Sequence, residues 1–535
     1  MLEKTFNLLY EPWILVLNLN GETEEVSLLT VLERAHEFRS LAGELPTQDV
    51  AILRLLLATL YATFTRVDIQ GNKKNIENAS EALERWQSLW ELKRFPVEPI
   101  KTRLCYYEER FFLFHPERPF YQVAGLKRGT NYTAAKLLGN LSESGNKVRL
   151  FPVRSGDAKS SVSYAEAARW LLYLNAFDDT SNKPSIRGQK MPSPGVGWLG
   201  RLGLIYANGA NLFETLMLNF ILLNDDNEPW GKGNAAWELD EARTEERVEV
   251  ILPQDPLTLL TLQSRRLLLQ REANSVIGYK LLGGDFFPKE NAFTEQMTLW
   301  RKDLKKDVYL PKRHDPSKQL WRNFSALLAE GNDYRKPGIV RWLSMLIDQS
   351  CISNMITLQI ASVKYGDKDF FVTDVFQDSL SINSSIFSQL GQEWVIQITR
   401  LLSITEECVE QLFSLAADLA KASGDSDSSH HRAGKGISNV AKAEAYFRLD
   451  MPFRKWLANI DPTQTDIDEA EDDWKNIVKQ VLLQLGEEMT EQTGEKGIVG
   501  RWVKNQKDPK GKLYTAPGAL INFRSNIKRT LEKGG

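Results

Sequence analysis

The sequence predicts an α+β fold: a large mixed N-terminal domain over residues 1–375, followed by a C-terminal four-helix bundle over 376–535. Three observations predict it. A chain of 535 residues is too long for one hydrophobic core. Its 42% apolar and 26% charged content is that of a globular protein. The spacing of apolar residues also changes along the chain. Strand-like runs, helical runs and glycine-rich loops alternate at first, and helical spacing alone remains beyond about residue 375.

The first elements follow from local chemistry. Trp13 to Leu19 is mostly apolar, Asn20-Gly21 turns the chain, and Glu24 to Ser27 continues it, the pattern of a hairpin. Val50 to Phe64 is apolar on most faces, which predicts a buried helix. Ala79 to Leu92 is amphipathic, with Trp86, Leu89 and Trp90 on one side, and Pro96 and Pro99 are expected to end that region. Gly125 to Ser163 reads as loop, Tyr164 to Ala176 as helix, and Asp178 to Gly203 as a second loop rich in proline and glycine. A loop that long inside a domain is usually functional or disordered. Val248 to Leu269 reads as strands carrying Arg265 and Arg266. Ser317 to Leu328 and Gly338 to Met355 read as helices, and Leu358 to Lys364 as a strand.

In the last part, Ile386, Leu390, Trp394, Ile398, Leu401 and Leu402 recur at helical spacing, continued by Val409, Leu412, Phe413 and Leu419. A polar linker, Ser423 to Arg432, precedes three more helical stretches, about Val440 to Ala458, Asp468 to Glu491 and Pro517 to Leu531. Four amphipathic helices with polar connections predict a bundle.

Net charge is −3, from 67 basic and 70 acidic residues, which argues against a protein that coats duplex DNA by charge alone. The charges are segregated. Tyr121 to Lys190 and Trp300 to Arg341 each hold eleven basic and five acidic residues, whereas Leu222 to Pro256 holds ten acidic and three basic. Such blocks suit local contact with nucleic acid, or simply solvated faces. Cys105, Cys351 and Cys408 are far apart and odd in number, so neither a disulfide framework nor a zinc spacing is expected. No stretch reaches the ~18 apolar residues of a membrane helix. No signal peptide follows Met1, so a cytoplasmic location and no membrane partner are expected.

Catalytic motifs are weak. Gly195-Val-Gly197-Trp-Leu-Gly200 fits the letter of a dinucleotide-binding turn, but Met191-Pro192-Ser193-Pro194 before it cannot be a central strand. His314-Asp315 lacks the further ligands of a metal-dependent phosphohydrolase and reads as a surface turn. Asp178-Asp179 and Asp225-Asp226 read as caps or turns. His430-His431 lies in a polar linker without pre-formed geometry. The expectation is no enzyme, no cofactor and no metal. Lys147-Val-Arg149-Leu-Phe151-Pro-Val-Arg154 sets cations around one aromatic ring, the pattern of RNA contact, or equally of a strand with Leu150 and Val153 inward.

Several stretches jointly resemble a known family. They are Phe6-Asn7-Leu8-Leu9-Tyr10-Glu11-Pro12-Trp13-Ile14; Arg118-Pro119-Phe120-Tyr121-Gln122 with Gly125; Lys136-Leu137-Leu138; Gly209 to Leu216 with Leu218-Asn219; Leu259 to Arg266; and Ala445-Tyr446-Phe447-Arg448. In that order they are similar to the CasA family, the large subunit of the type I-E CRISPR Cascade complex. The resemblance implies a subunit without catalysis that works with the other Cascade proteins and the CRISPR guide RNA. It implies recognition of the protospacer-adjacent motif in target double-stranded DNA, help in opening the duplex, and recruitment of a nuclease–helicase. Protein reading a short motif while base pairing reads the rest is a known division of labour.

The resemblance also implies sites. Motif DNA would meet Gly188, Gln189, Lys190, Lys289 (with Lys280 as the alternative lysine) and the wedge Gly366, Asp367, Lys368 and Asp369. A wedge glutamine of some members is replaced here by Asp369 or Lys368. Phe151 and Arg154 would contact the guide RNA handle. A mobile loop from Gly125 to Lys147 would carry Lys127, Arg128, Asn131 and Lys136. A cysteine cluster found in some relatives is missing, so no zinc is expected. Two rivals remain: an assembly scaffold without DNA contact, and a metal-dependent nucleic-acid hydrolase.

Overall fold

A computed structural model describes residues 4–143, 152–181, 183, 192–251, 253–331, 334–353, 355–424, 431–505 and 508–532. The fold is mixed α+β, and the chain divides into two compact units. The first comprises Met1–Pro316, Glu330–Leu346 and Ile356–Ser379; the second comprises Ser317–Ala329, Ile347–Met355 and Leu380–Gly535.

In the first unit the expected hairpin forms. Strand Ile14–Asn18 pairs antiparallel with Thr23–Val26, Ile14 opposite Val26, and on its other edge with Phe38–Leu41. Helix Pro46–Phe64 has proline at its first turn and is buried on nearly every face. Its one buried cation, Arg54, is matched by Glu295 through two 2.9 Å hydrogen bonds. Local caps start the next helices. Asn78 opens Ala79–Glu91 by accepting from the Glu81 N–H. Ser163 and Glu166 form a capping box at Tyr164–Phe177.

Two three-stranded sheets matter for function. One orders Thr130–Thr133, Ser275–Gly283 and Arg265–Glu272. The other orders Val372–Ile382, Ile356–Tyr365 and Ile205–Asn208.

Several expectations need correction. Pro96 does not end the helical region: it precedes helix Val97–Tyr106, whose first turn tolerates Pro99 because its N–H would have no intrahelical partner. The segment 125–163 is not all loop, since Thr130–Thr133 joins a sheet edge and Ala134–Leu137 and Asp157–Ser160 are short helices. Between 248 and 264 no strand forms among the described residues. Asp255 caps a short helix, Pro256–Leu260, and the strand starts at Arg265. The next two helices are shorter than expected, a turn at Leu320–Asn323 leading into Phe324–Leu328, and Gly338–Asp348.

The second unit holds four long helices, Gln392–Ser423, His431–Ala458, Ile467–Glu491 and Ala516–Glu532. The first packs against each of the other three. Trp394, Ile398, Leu401, Val409, Leu412 and Leu419 are buried along it, as the periodicity predicts. Phe413 is instead 41% exposed, because 100° per residue carries it off the face that holds Leu412. Inside the bundle Phe453 stacks on Trp321 at 4.7 Å and meets Trp474 edge-on at 5.1 Å. A hairpin of Arg501–Asn505 and Asp508–Tyr514 was not anticipated, because the sequence from Arg501 to Tyr514 is polar and lacks strand alternation.

Candidate nucleic-acid interface

The root of the 178–203 segment is fixed by buried charges. Asp178 receives Arg265 Nε at 2.5 Å and Lys183 Nζ at 2.9 Å. Asp179 receives Lys136 Nζ at 2.5 Å. Burial lowers the Lys183 ammonium and opposes the charge on Asp178, but Lys183, Arg265 and Lys136 around Asp178 outweigh it and hold that carboxyl below the usual range. Asp179 Oδ1 also accepts from the Ser181 N–H at 2.8 Å and Asp178 ends helix Tyr164–Phe177, so the pair is the turn the sequence predicts and, in addition, the anchor of an ion network. Asp225 likewise pairs with Arg335 and Arg341.

This anchoring explains the glycine pattern that mimics a dinucleotide turn. Gly195 has φ +64°, and a Cβ there would lie 2.7 Å from Arg201 Nη2. A Cβ on Gly200 would lie 2.2 Å from the Tyr365 hydroxyl, which donates to the Phe177 carbonyl at 2.7 Å. The glycines admit neighbouring protein groups, and Leu199–Arg201 is a single helical turn after a bend.

Gly366–Asp369 is at the tip of the hairpin joining Ile356–Tyr365 to Val372–Ile382. Gly366 N–H donates to Phe371 O at 2.8 Å, and Asp369 N–H to Gly366 O at 3.0 Å. Lys368 and Asp369 both adopt left-handed backbone, φ 51° and 60°. Thr180 docks against this tip, its hydroxyl donating to Lys368 O at 2.8 Å and its N–H to Asp369 O at 2.9 Å. The Asp369 carboxylate is held by Arg313, and Lys368 and Asp367 are exposed.

Thr180, Gly195, Arg201, Lys289, Arg301, Arg313 and Asp369 line one cleft of about 450 Å³. Its lining carries four cations and one carboxylate, which Arg313 already occupies. Lys289 and Arg301 are exposed and have no ion-pair partner among the described residues. Among the described residues Arg201 donates only to backbone, to Pro194 O at 2.7 Å and Val196 O at 3.4 Å. Burial, then Arg265, Arg313 and Arg247 around it, push its guanidinium down to about 10. A guanidinium so placed is under-neutralised, and an anion in the cleft would relieve it.

Sequence reading had grouped Lys289 with the 366–369 turn, and the fold brings Lys289 and Asp369 to this one cleft. It missed Arg201, Arg301 and Arg313. The basic block from Trp300 to Arg341 held a signal for the last two. Gly188, Gln189, Lys190 and Phe151 lie outside the described residues.

The remaining site residues fall elsewhere. Lys280 Nζ donates to Leu126 O at 3.1 Å and Lys127 O at 3.2 Å, clamping that turn. The Lys127 and Arg128 side chains are exposed, while their N–H groups bond Glu245. Asn131 sits on a strand opposite Lys280, and Lys136 is buried against Asp179. Arg154 is paired with Glu166 at 2.8 Å.

His314 is buried rather than on a surface turn. Its Nε2 lies 3.0 Å from Leu204 O, and burial pushes the imidazole down to about 4, a neutral packed ring. No group of three or more His, Cys, Asp or Glu with metal-binding geometry occurs among the described residues. No helix among them is long and apolar enough to cross a membrane.

Residues 7–485 match the family described as CRISPR-associated protein Cse1. A "CRISPR-associated protein CasA/Cse1" from Thermus thermophilus is 31% identical over 441 residues, 81% of each chain. The crystal structure of Thermobifida fusca Cse1 superposes with a TM-score of 0.80 at 29% identity, covering 98% of both chains. A chain of a structure titled "CRISPR RNA-guided surveillance complex" shares the fold, TM-score 0.74 at 18% identity, over 98% of this chain and 100% of that one.

Proposed function

The chain belongs to the CRISPR-associated protein Cse1 family, and from that premise we propose that it is the non-catalytic large subunit of a type I-E CRISPR RNA-guided surveillance complex. In this role it joins the other protein subunits and the guide RNA, recognises the protospacer-adjacent motif in target double-stranded DNA, promotes duplex opening, and helps recruit the nuclease–helicase. The fold it shares with a chain of a surveillance complex supports the assembly.

The observation that carries the DNA reading is the cationic cleft. Arg201, Lys289 and Arg301 face it without carboxylate partners among the described residues, so phosphate would replace hydration at little competing cost. Gly188, Gln189 and Lys190 are assigned to motif DNA by the family resemblance alone. With Asp369 tied to Arg313, the exposed Lys368 and the backbone of Gly366 and Asp367 are what the turn offers a duplex. The minor groove presents few distinguishing groups, so motif choice is permissive. Lys280 serves the 126–127 turn and is the weaker candidate. Phe151 and Arg154 contact the guide handle, and Lys127, Arg128, Asn131 and the buried Lys136 belong to the proposed loop from Gly125 to Lys147. Residues 1–375, apart from Ser317–Ala329 and Ile347–Met355 that join the second unit, form the nucleic-acid-facing domain, and 376–535 hold the bundle.

The test is a gel-shift titration of the assembled complex on targets with and without the motif. Lys289→Ala weakens motif-bearing targets by ~1–3 kcal/mol, the scale of one lost base-reading contact. Lys479→Ala, on an exposed position of the bundle, leaves binding unchanged. If Lys289→Ala binds both targets as the parent does, and swaps within Gly366–Asp369 leave motif preference intact, the assignment of this face fails. A parent complex with no motif-dependent binding at all would make the chain an assembly scaffold.

A further inference from the structure

A second cleft, of about 630 Å³, opens in the first unit and shares no lining residue with the cationic cleft. One wall comes from the end of helix Pro46–Phe64 and the turn after it, through Val67, Lys73 and Ile76. The other is the segment Pro229-Trp230-Gly231-Lys232-Gly233-Asn234. Trp230 donates its indole N–H to Ile221 O at 2.8 Å, which fixes the ring while it stays half-buried at the cleft.

Charge around this ring is unbalanced. Arg66, Lys73, Arg103 and Lys232 line the cleft against one carboxylate, Asp255, which is engaged as the cap of helix Pro256–Leu260. Glu238, 1% exposed, receives both Arg66 and Arg103, so a single carboxylate serves two guanidinium groups. Arg66 uses its other donors on Ala62 O and Gly233 O. Arg103 Nη1 makes no hydrogen bond among the described residues, and Lys73 and Lys232 form no ion pair there. Asn75 and Asn234, also at the cleft, have free amide side chains among those residues.

We propose that this cleft binds a single nucleotide, its base against Trp230 and its phosphate on Lys73, Lys232 and Arg103. An immobilised indole beside aliphatic Val67 and Ile76 suits a flat aromatic base, which stacks whatever its identity. A phosphate carries close to two charges and three acceptor oxygens, matching the two unpaired lysines and the free Nη1 of Arg103. The amides of Asn75 and Asn234 offer both donors and acceptors to a base edge. The volume suits one nucleotide and excludes a duplex. The ligand is either a free nucleotide or one residue of a single strand. The proposal does not depend on DNA recognition at the other cleft.

Isothermal titration calorimetry of the full chain decides it, with AMP, a trinucleotide, inorganic phosphate and an acidic peptide as probes. AMP binds, Trp230→Ala weakens it about tenfold or more, and Trp230→Phe restores most of the affinity. The double variant Lys73→Ala/Lys232→Ala, at two exposed positions that spare the fold, weakens AMP and phosphate alike. Tighter binding of the trinucleotide than of AMP identifies a strand as the source, and equal binding a free nucleotide. Three results overturn the proposal: no AMP binding at millimolar concentration, AMP binding unchanged by the lysine and Trp230→Phe and Trp230→Ala variants, or binding of the acidic peptide but not of AMP.

Discussion

The Arg313 guanidinium donates two parallel hydrogen bonds of 3.0 Å each to the Asp369 carboxylate. The pair bridges residues 56 apart in sequence and sits at the mouth of the cationic cleft. Both side chains are about one-third exposed, so the pair contributes little to stability, on the scale of 0–1 kcal/mol. Its larger effect is on the field of the cleft, where it cancels one positive charge.

Removing that cancellation has a direct consequence. Asp369→Asn frees Arg313 and should tighten binding of the assembled complex to duplex with or without the motif. The slope of log affinity against log salt should steepen by about 1, the signature of one more phosphate-neutralising cation. A salt series in the gel-shift assay reads this. An unchanged slope places the pair away from phosphate.

Arg201 should behave in the opposite way. Arg201→Gln keeps a donor for the Pro194 and Val196 carbonyls and removes the charge. Thermal stability should hold or rise slightly, because burial and neighbouring guanidinium groups already disfavour that charge. Affinity for duplex should fall with a shallower salt slope. Loss of stability with unchanged DNA affinity would give Arg201 a purely structural role.

The ion pair beneath the surface is a sharper stability test. Arg54 and Glu295 are 3% and 1% exposed, and Trp198 adds a 2.7 Å hydrogen bond to the same carboxylate. Glu295→Gln leaves a buried guanidinium uncompensated, which should cost about 3–5 kcal/mol. Urea unfolding measures it. A loss below about 1 kcal/mol would mean that water reaches Arg54.

His314 gives a pH test with a fixed sign. Its folded value, about 4, lies below its unfolded value of 6.5, so the unfolded chain takes up the proton first. The stability it contributes is complete above pH 6.5 and is lost as pH falls toward 4, by about 3 kcal/mol at most. His314→Gln should flatten the fall in Tm across that window relative to the parent. Equal slopes in the two proteins would mean that His314 is solvated.

Much of this molecule is written in short-range pattern. The mostly apolar run Trp13 to Leu19 with its Asn-Gly turn determined a hairpin, and Ile14–Asn18 pairs with Thr23–Val26. The period of 3.6 determined the long helices of the second unit, because a helix must bury its apolar stripe. Where sequence reading erred, a neighbour distant in the chain had intervened. Thr130–Thr133 looks like loop until Ser275–Gly283 supplies its hydrogen bonds. Asp178-Asp179 is the turn its sequence predicts, and the ion network is what its neighbours could not reveal, because Arg265 and Lys136 supply the countercharges.

The candidate interface divides in the same way. The sequence singled out Lys289 and Gly366 to Asp369 only through the resemblance to a family. Only the tertiary structure decided that residues 201, 289, 301, 313 and 369 share one cleft, and which of them keeps its charge unpaired. An arginine has the same local signature whether it is neutralised, as Arg265 is by Asp178, or left with carbonyls alone, as Arg201 is. The difference lies in which carboxylate chain closure brings within hydrogen-bond reach, a long-range outcome of packing that no window of neighbouring residues encodes.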